Sequence, residues 1–229
     1  MCIIAGCQAM PGGGKTARAW TTLCNRHRSR ERRHGDANQE PILANHLKPY
    51  LRSLTRRQKA NPNAPAWDML TARWRTLVDQ QRDTVRAFDA GLAGVRWRYL
   101  AAKEIVRVAV EPSAEDAWRT AVAMFLFREH EPTRFVSDKA FLVQLSRRVR
   151  HLSTINRGSY YDHVSGGTKL VWRDPNTRVA VLIGQALADT FGAAGVFFAD
   201  QERKEADSKQ AERNAFYDAL KGATMGQAA

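Results

Sequence analysis

Trp67-Asp68-Met69-Leu70-Thr71-Ala72-Arg73-Trp74-Arg75-Thr76-Leu77, continued by Val78-Asp79-Gln80-Gln81-Arg82-Asp83-Thr84-Val85-Arg86-Ala87-Phe88, is the stretch that sets the fold class. Trp67, Leu70, Trp74, Leu77, Gln81, Val85, Phe88 and Leu92 step by three or four residues, which places them on one face of an α-helix. The spacing predicts a helix over residues 66–90, ended by Gly91 or Gly94, where a left-handed residue stops the turn. Its apolar stripe is a core or helix-pairing face. Arg73, Arg75, Arg82 and Arg86 lie off that stripe.

The same period recurs on both sides. Upstream, Asn61-Pro62-Asn63-Ala64-Pro65 is a break. Before it, Ile42, Leu43, Leu47, Leu51 and Leu54 predict a helix that starts at Pro41 and is kinked or split at Pro49. Lys48, Arg52, Arg56, Arg57 and Lys59 decorate it. Downstream, residues 96–110 predict a helix closed by Pro112, with Val106, Val108 and Val110 leaving a strand-like end open. Ser113-Ala114-Glu115-Asp116 is close to a capping box and leads through Trp118, Val122, Phe125 and Leu126 to about residue 129. Ser137-Asp138 starts another helix, with Phe141, Leu145, Val149 and Leu152 on one face. Arg147, Arg148 and Arg150 fall at its end, where cations complement the helix dipole.

Residues 153–174 are the least helical, and Tyr160-Tyr161, Gly166-Gly167 and Leu170-Val171-Trp172 predict a loop or small hairpin. Asp174-Pro175 opens a helix with Val179, Ile183, Leu187 and Phe191 inward, stopped by Gly192. A last helix runs from about residue 196 to 220, solvent-exposed because Gln201 to Arg213 is charged on nearly every side. The expected fold is mainly α, with at most a minor hairpin. A small N-terminal module (1–40) and a basic linking helix (41–60) precede a helical body (66–221), and residues 222–229 are expected to be disordered.

The module is defined by its cysteines. All three in the chain, Cys2, Cys7 and Cys24, precede His27, in the spacing C-x4-C-x16-C-x2-H. Clustered thiolates beside an imidazole are what zinc needs for a closed tetrahedral site. The loop between the two pairs is free to vary, because closure entropy grows slowly with length. A segment this short has no core of its own, so metal binding and folding are one event. Directly after the ligands comes Arg26-His27-Arg28-Ser29-Arg30-Glu31-Arg32-Arg33-His34-Gly35-Asp36.

Those residues resemble the small zinc module found at the N-terminus of many phage-encoded proteins, often next to HNH homing endonucleases. Such modules run roughly C-x4-C, a short loop, then a C-x-x-H-x-x-R-x-R-R-H-G-D register. Leu23-Cys24, His27, Arg30, Arg32, Arg33, His34, Gly35 and Asp36 fall in that register, and the resemblance covers residues 1–36 only. The chain departs from it at Arg28, where an aromatic is usual, at Glu31, where a large residue is common, and in a longer loop at Met10-Pro11-Gly12-Gly13-Gly14-Lys15-Thr16. The resemblance implies Cys2, Cys7, Cys24 and His27 as ligands of a structural Zn2+. It also places His34 beside the arginines on a nucleic-acid-binding face.

Charge points to the same partner. The chain has a net charge of +13. Residues 1–60 carry 12 Lys/Arg against 3 Asp/Glu, a net +9, whereas residues 151–229 carry 9 of each and are neutral. A concentrated basic segment is the footprint of polyanion binding. The candidate contacts are Arg26, Arg28, Arg30, Arg32, Arg33, His34, Lys48, Arg52, Arg56, Arg57 and Lys59. No apolar run approaches the ~20 residues of a membrane span, and no signal peptide stands at the N-terminus, so a cytoplasmic, nucleoid-associated location without membrane contact is expected.

Two competing chemistries are poorly supported. Ala9-x4-Gly14-Lys15-Thr16 fits a relaxed phosphate loop, but the strand it requires is too short. Asp162-His163 before Gly166-Gly167, with Asn176 downstream, partly matches an HNH nuclease site. No histidine follows Asn176 to complete its metal site. The function expected is nucleic-acid binding, with DNA the favoured form, by a non-enzymatic protein of phage or mobile-element type. A metal-dependent nuclease and a zinc-containing assembly factor are the alternatives. The helical body is expected to supply a protein partner surface or a homodimer contact.

Overall fold

The computed structural model describes residues 1–12 and 22–225. Seven α-helices and one two-stranded hairpin are found among them: α1 Asn25–His34, α2 Ala44–Ala60, α3 Pro65–Asp89, α4 Arg96–Val108, α5 Ala114–His130, α6 Asp138–Arg150, β1 Arg157–Asp162, β2 Gly167–Trp172 and α7 Thr177–Met225. The fold is mainly α, as the sequence periodicities require. The glycine-rich part of the relaxed phosphate-loop motif, residues 14–16, lies outside the described residues.

Helix α5 is the centre of the body. From Ala117 to Phe127 every residue except Arg119 is buried, the condition of a helix that is apolar on all sides. It packs on α2, α3, α6 and α7. Ser113 caps its N-terminus by accepting a hydrogen bond from the Asp116 amide at 3.0 Å. Ser137 caps α6 in the same way through Ala140. Trp118 lies against Trp67 of α3 at 5.9 Å between ring centroids, and Trp67 stacks in turn on Phe198 of α7 at 5.6 Å.

Helix α3 buries Trp67, Leu70, Trp74 and Leu77, together with Val78, while Val85 and Phe88 are half-buried towards its end. Gly91 ends it with φ +82°. Gly91 N–H donates to the Phe88 carbonyl at 3.0 Å and Leu92 N–H to the Ala87 carbonyl at 3.0 Å, a paired left-handed stop.

Four local expectations are corrected. Pro41 does not begin α2, which starts at Ala44. Residues 37–43 instead form an irregular segment that follows a turn at Asp36–Gln39, with Ala37, Gln39 and Ile42 buried against the body. Pro49 does not split α2, which is continuous from Ala44 to Ala60. Residues 96–108 are helical to Val108, with no strand ending. Gly192 does not stop a helix: α7 is unbroken from Thr177 to Met225 and so also covers residues 222–225 of the expected tail.

The last correction has a packing cause. Glycine inside a helix costs ~1 kcal/mol against alanine, so it suggests a stop. Three residues after Gly192, a Cβ on Gly195 would lie 2.2 Å from the Phe125 Cβ of α5, and towards the start of α7 a Cβ on Gly184 would lie 2.2 Å from the Leu142 carbonyl oxygen of α6. These glycines let α5 and α6 approach the α7 backbone inside an unbroken helix. The continuous helix also overturns the expectation that no apolar run approaches a membrane span. An eighteen-residue window of α7 has mean hydropathy 1.5, and the helix is long and apolar enough to cross a bilayer. In this fold Val179, Ile183, Leu187, Phe191 and Phe198 on its stripe are buried in the core.

Candidate metal centre and basic surface

Residues 2–9 form a knuckle. Cys2 N–H donates to the Ala9 carbonyl at 2.9 Å and Cys7 N–H to the Ile4 carbonyl at 3.0 Å, with Gly6 at φ +75° making the turn. Ile3 N–H to the Thr22 carbonyl at 2.9 Å and Gly12 N–H to the Leu23 carbonyl at 2.9 Å tie the knuckle to the start of α1. Cys24 is the N-cap of α1 but makes no side-chain capping bond. Its sulfur is left to face the knuckle. His27 follows three residues later in the first helical turn, which brings its ring to the same side.

The four ligand atoms converge. All lie within 4.8 Å of one another. Cys24 Sγ is 3.3 Å from His27 Nδ1, Cys2 Sγ is 3.4 Å from the same nitrogen, and Cys7 Sγ is 3.9 Å from Cys24 Sγ. A zinc tetrahedron with Zn–S of ~2.3 Å and Zn–N of ~2.05 Å has S···S edges of ~3.8 Å and S···N edges of ~3.6 Å. The three contacts named match those edges to a few tenths of an ångström and the remaining pairs stay within 4.8 Å, so the donor set fits a small tetrahedral cation with modest adjustment.

The electrostatics agree. Burial pushes the Cys2 thiol up, but hydrogen bonds from the Cys24 and Ile4 amides, with His27 and Cys7 adding to them, bring it down to about 6. The amide of Ala9 lowers Cys7, yet burial and the neighbouring Cys24 and Cys2 sulfurs outweigh it and hold Cys7 above the usual thiol range. Three sulfurs so close cannot all ionise without a cation between them.

The sequence-derived basic residues divide in two. Arg26, Arg28, Arg32 and Arg33 are exposed and Arg30 is half-exposed. On the helical wheel His27 and His34 share one face. Arg26, Arg30 and Arg33 flank it on one side, and Arg28 and Arg32 on another. Lys48, Arg52, Arg56 and Lys59 follow a three-to-four residue step along α2 and are exposed. Arg57 turns the other way and pairs with Glu205 of α7 at 2.7 Å. His34 is not on the surface. It is 8% exposed, and its Nδ1 accepts from Gln144 Nε2 at 2.9 Å.

Asp162 and His163 belong to no group of three or more converging Cys, His, Asp or Glu ligands: among the described residues Cys2, Cys7, Cys24 and His27 form the one such group. Asp162 accepts from Lys169 Nζ, from Ser165 Oγ at 2.8 Å and from the Val164 amide at 3.1 Å, all within the hairpin. His163 stands exposed at the hairpin tip against the Tyr161 ring. Asn176 caps the start of α7 by accepting from the Arg178 amide at 2.9 Å.

The sequence reading did not anticipate how firmly the module is fixed to the body. Arg147 of α6 donates to the Arg33 carbonyl at 3.1 Å, and Thr177 Oγ1 of α7 donates to the Arg32 carbonyl at 2.9 Å. Gly35 ends α1 at φ +88°, where a Cβ would meet Val143 and the α6 backbone at 3.0–3.1 Å. Asp36 then accepts from the Asn38 amide at 2.8 Å. His34-Gly35-Asp36 is thus a docking and chain-reversal element. No protein-family model, no curated protein and no solved structure matches the chain.

Proposed function

We propose that this protein binds nucleic acid, with duplex DNA as the favoured form, without chemistry of its own. In this reading a structural zinc held by Cys2, Cys7, Cys24 and His27 fixes α1 and presents its arginines to phosphates. The observation that carries the reading is the placement of Arg26, Arg28, Arg32 and Arg33 as exposed side chains on the helix that begins at the metal site. Arginine matches phosphate in charge and in planar fork geometry. Such contacts give affinity and position, and base contacts give sequence preference. The α2 stripe of Lys48, Arg52, Arg56 and Lys59 extends the basic surface. A cytoplasmic, nucleoid-associated location accompanies this reading, since a reducing compartment keeps the thiolates available to the metal. The likeness of residues 1–36 to phage-type zinc modules supports the same partner.

The test is a DNA-binding isotherm on zinc-loaded protein and on the Cys24→Ser variant. Loss of the metal releases α1 from its N-terminal anchor, so the variant should bind at least tenfold more weakly at equal salt. Equal binding by the two proteins would detach the metal from the function and favour an assembly role for the module.

A further inference from the structure

A cleft of about 580 Å³ opens where the C-terminal end of α1 meets the hairpin and the start of α7. Arg32, Arg33 and Arg147 line one side, Leu170 and Val171 another, and Asp174 the floor towards Pro175. The two α1 arginines are unusual in one respect. Their backbones are pinned, the Arg33 carbonyl by Arg147 and the Arg32 carbonyl by Thr177. Their guanidinium groups are exposed and meet no carboxylate among the described residues. Two cations are therefore carried on a fixed backbone at the mouth of the cleft and left uncommitted.

Asp174 does not cancel them. It is taken by Arg147 at 2.6 Å, with Arg150 a further 3.9 Å away, so the cleft keeps a positive excess. The opposite wall is apolar and open: Leu170 is 56% and Val171 41% exposed. Successive strand residues point to opposite faces, so a cleft that touches both is bordered by the edge of β2 away from β1, its one strand partner among the described residues.

We propose that this cleft seats a nucleoside phosphomonoester, either the phosphorylated end of a strand or a free nucleotide. Arg32 and Arg33 take the phosphate, and the edge of β2 borders the sugar and base, with the Leu170 and Val171 side chains flanking it on the two faces of the hairpin. Three features argue for this class. The volume falls within the range of small-ligand sites and is too small for a duplex. A phosphomonoester carries close to two charges, against one on an internal phosphodiester, and two arginines stabilise the first more. A mixed basic and apolar lining matches a ligand with an anionic end and a weakly hydrated ring. The strand-end form rests on the nucleic-acid reading above, and the free-nucleotide form does not.

The experiment is calorimetric titration of the zinc-loaded protein with dAMP, deoxyadenosine and inorganic phosphate. In parallel, short single strands of one sequence are compared with and without a 5′- or 3′-phosphate, and a closed circular duplex is bound separately. dAMP should bind at least tenfold more tightly than either fragment. Arg32→Ala with Arg33→Ala should remove that binding while leaving Tm unchanged, because neither guanidinium holds the fold together. Leu170→Ser with Val171→Ser should reduce dAMP to the affinity of phosphate. A tenfold preference for a phosphorylated strand end assigns the seat to strands; no such preference, with dAMP bound, assigns it to free nucleotide. dAMP binding no tighter than phosphate, or unaffected by the arginine pair, overturns the proposal. The circular duplex has no ends, so its binding reports on the DNA reading alone.

Discussion

Gln144 joins the two halves of the chain through His34: its Nε2 donates to His34 Nδ1 at 2.9 Å while its Oε1 accepts from the Ile42 amide at 3.3 Å. The Ile42 N–H can only donate, which fixes the amide orientation and makes His34 Nδ1 an acceptor. The ring must therefore be neutral. Burial pushes its pKa down to about 4, Arg147, Arg33 and Arg30 push the same way, and Asp174 opposes them.

This gives a pH prediction. In the unfolded chain His34 titrates near ~6.5. Between that value and about 4 the unfolded state holds a proton that the folded state does not. Its contribution to stability is full above ~6.5 and falls as pH drops towards the folded value, by on the order of 2–3 kcal/mol. Denaturant unfolding of wild type and His34→Gln across this range should show their difference in stability shrinking as pH falls. Metal-ligand protonation is common to both proteins and cancels. A constant difference would show that His34 is not held neutral.

The metal centre predicts stoichiometry and colour. One zinc per chain should be found by elemental analysis, and cobalt substitution should give the visible bands of a tetrahedral, thiolate-rich site. Cys7→Ser should lower affinity for the metal and shift those bands. Two metals per chain, or octahedral cobalt, would contradict the ligand set.

Close approach of α6 and α7 predicts that Gly184→Ala lowers stability by about 2 kcal/mol, because the new methyl meets backbone that has no room to move. Gly167→Ala is the control: no atom lies within 4 Å of its Cβ position, so its effect should stay below ~0.5 kcal/mol. Equal effects would mean that the helices separate freely at Leu142.

Arg150 is 2% exposed and is held by Glu104, at 2.8 Å and 3.1 Å, and by the Arg173 carbonyl at 2.9 Å. Removing Glu104 leaves the buried Arg150 with Asp174 as its remaining carboxylate, 3.9 Å away and already taken by Arg147, so its charge is largely uncompensated. Glu104→Ala should cost about 3 kcal/mol, and the double variant with Arg150→Met should recover a large part of it. No recovery would place the loss in packing around Glu104.

Much of the architecture was legible because helix signals are local. The period of Trp67 to Leu77 and the serine caps at Ser113 and Ser137 each state their element within one or two turns. The metal ligands were legible because cysteine is scarce here and its clustering needs a cause. What the sequence concealed is long-range. Gly192 resembles a stop until the packing of Phe125 against the same stretch of α7 is seen, closest at Gly195, where a Cβ would lie 2.2 Å from the Phe125 Cβ. His34 resembles a member of the arginine face, and only Gln144, far along the chain, shows that it is buried. Arg57 lies among basic neighbours but belongs to Glu205, because helical position alone does not say which side meets α7. The bordering of Arg32 and Arg33 by β2 depends on where the hairpin folds back, which no local pattern encodes.

The central claim is that a metal-anchored arginine surface binds nucleic acid. Its most direct test is the salt dependence of duplex DNA binding by the zinc-loaded protein and by an Arg26→Ala, Arg28→Ala, Arg30→Ala variant. Each phosphate neutralised contributes roughly −0.9 to the log–log slope. The account predicts a steep slope for the wild type, flattened by about two to three units in the variant, with Arg203→Ala, Lys204→Ala, Lys209→Ala on α7 unchanged. Salt-insensitive wild-type binding, or a slope the α1 variant leaves untouched, would contradict it.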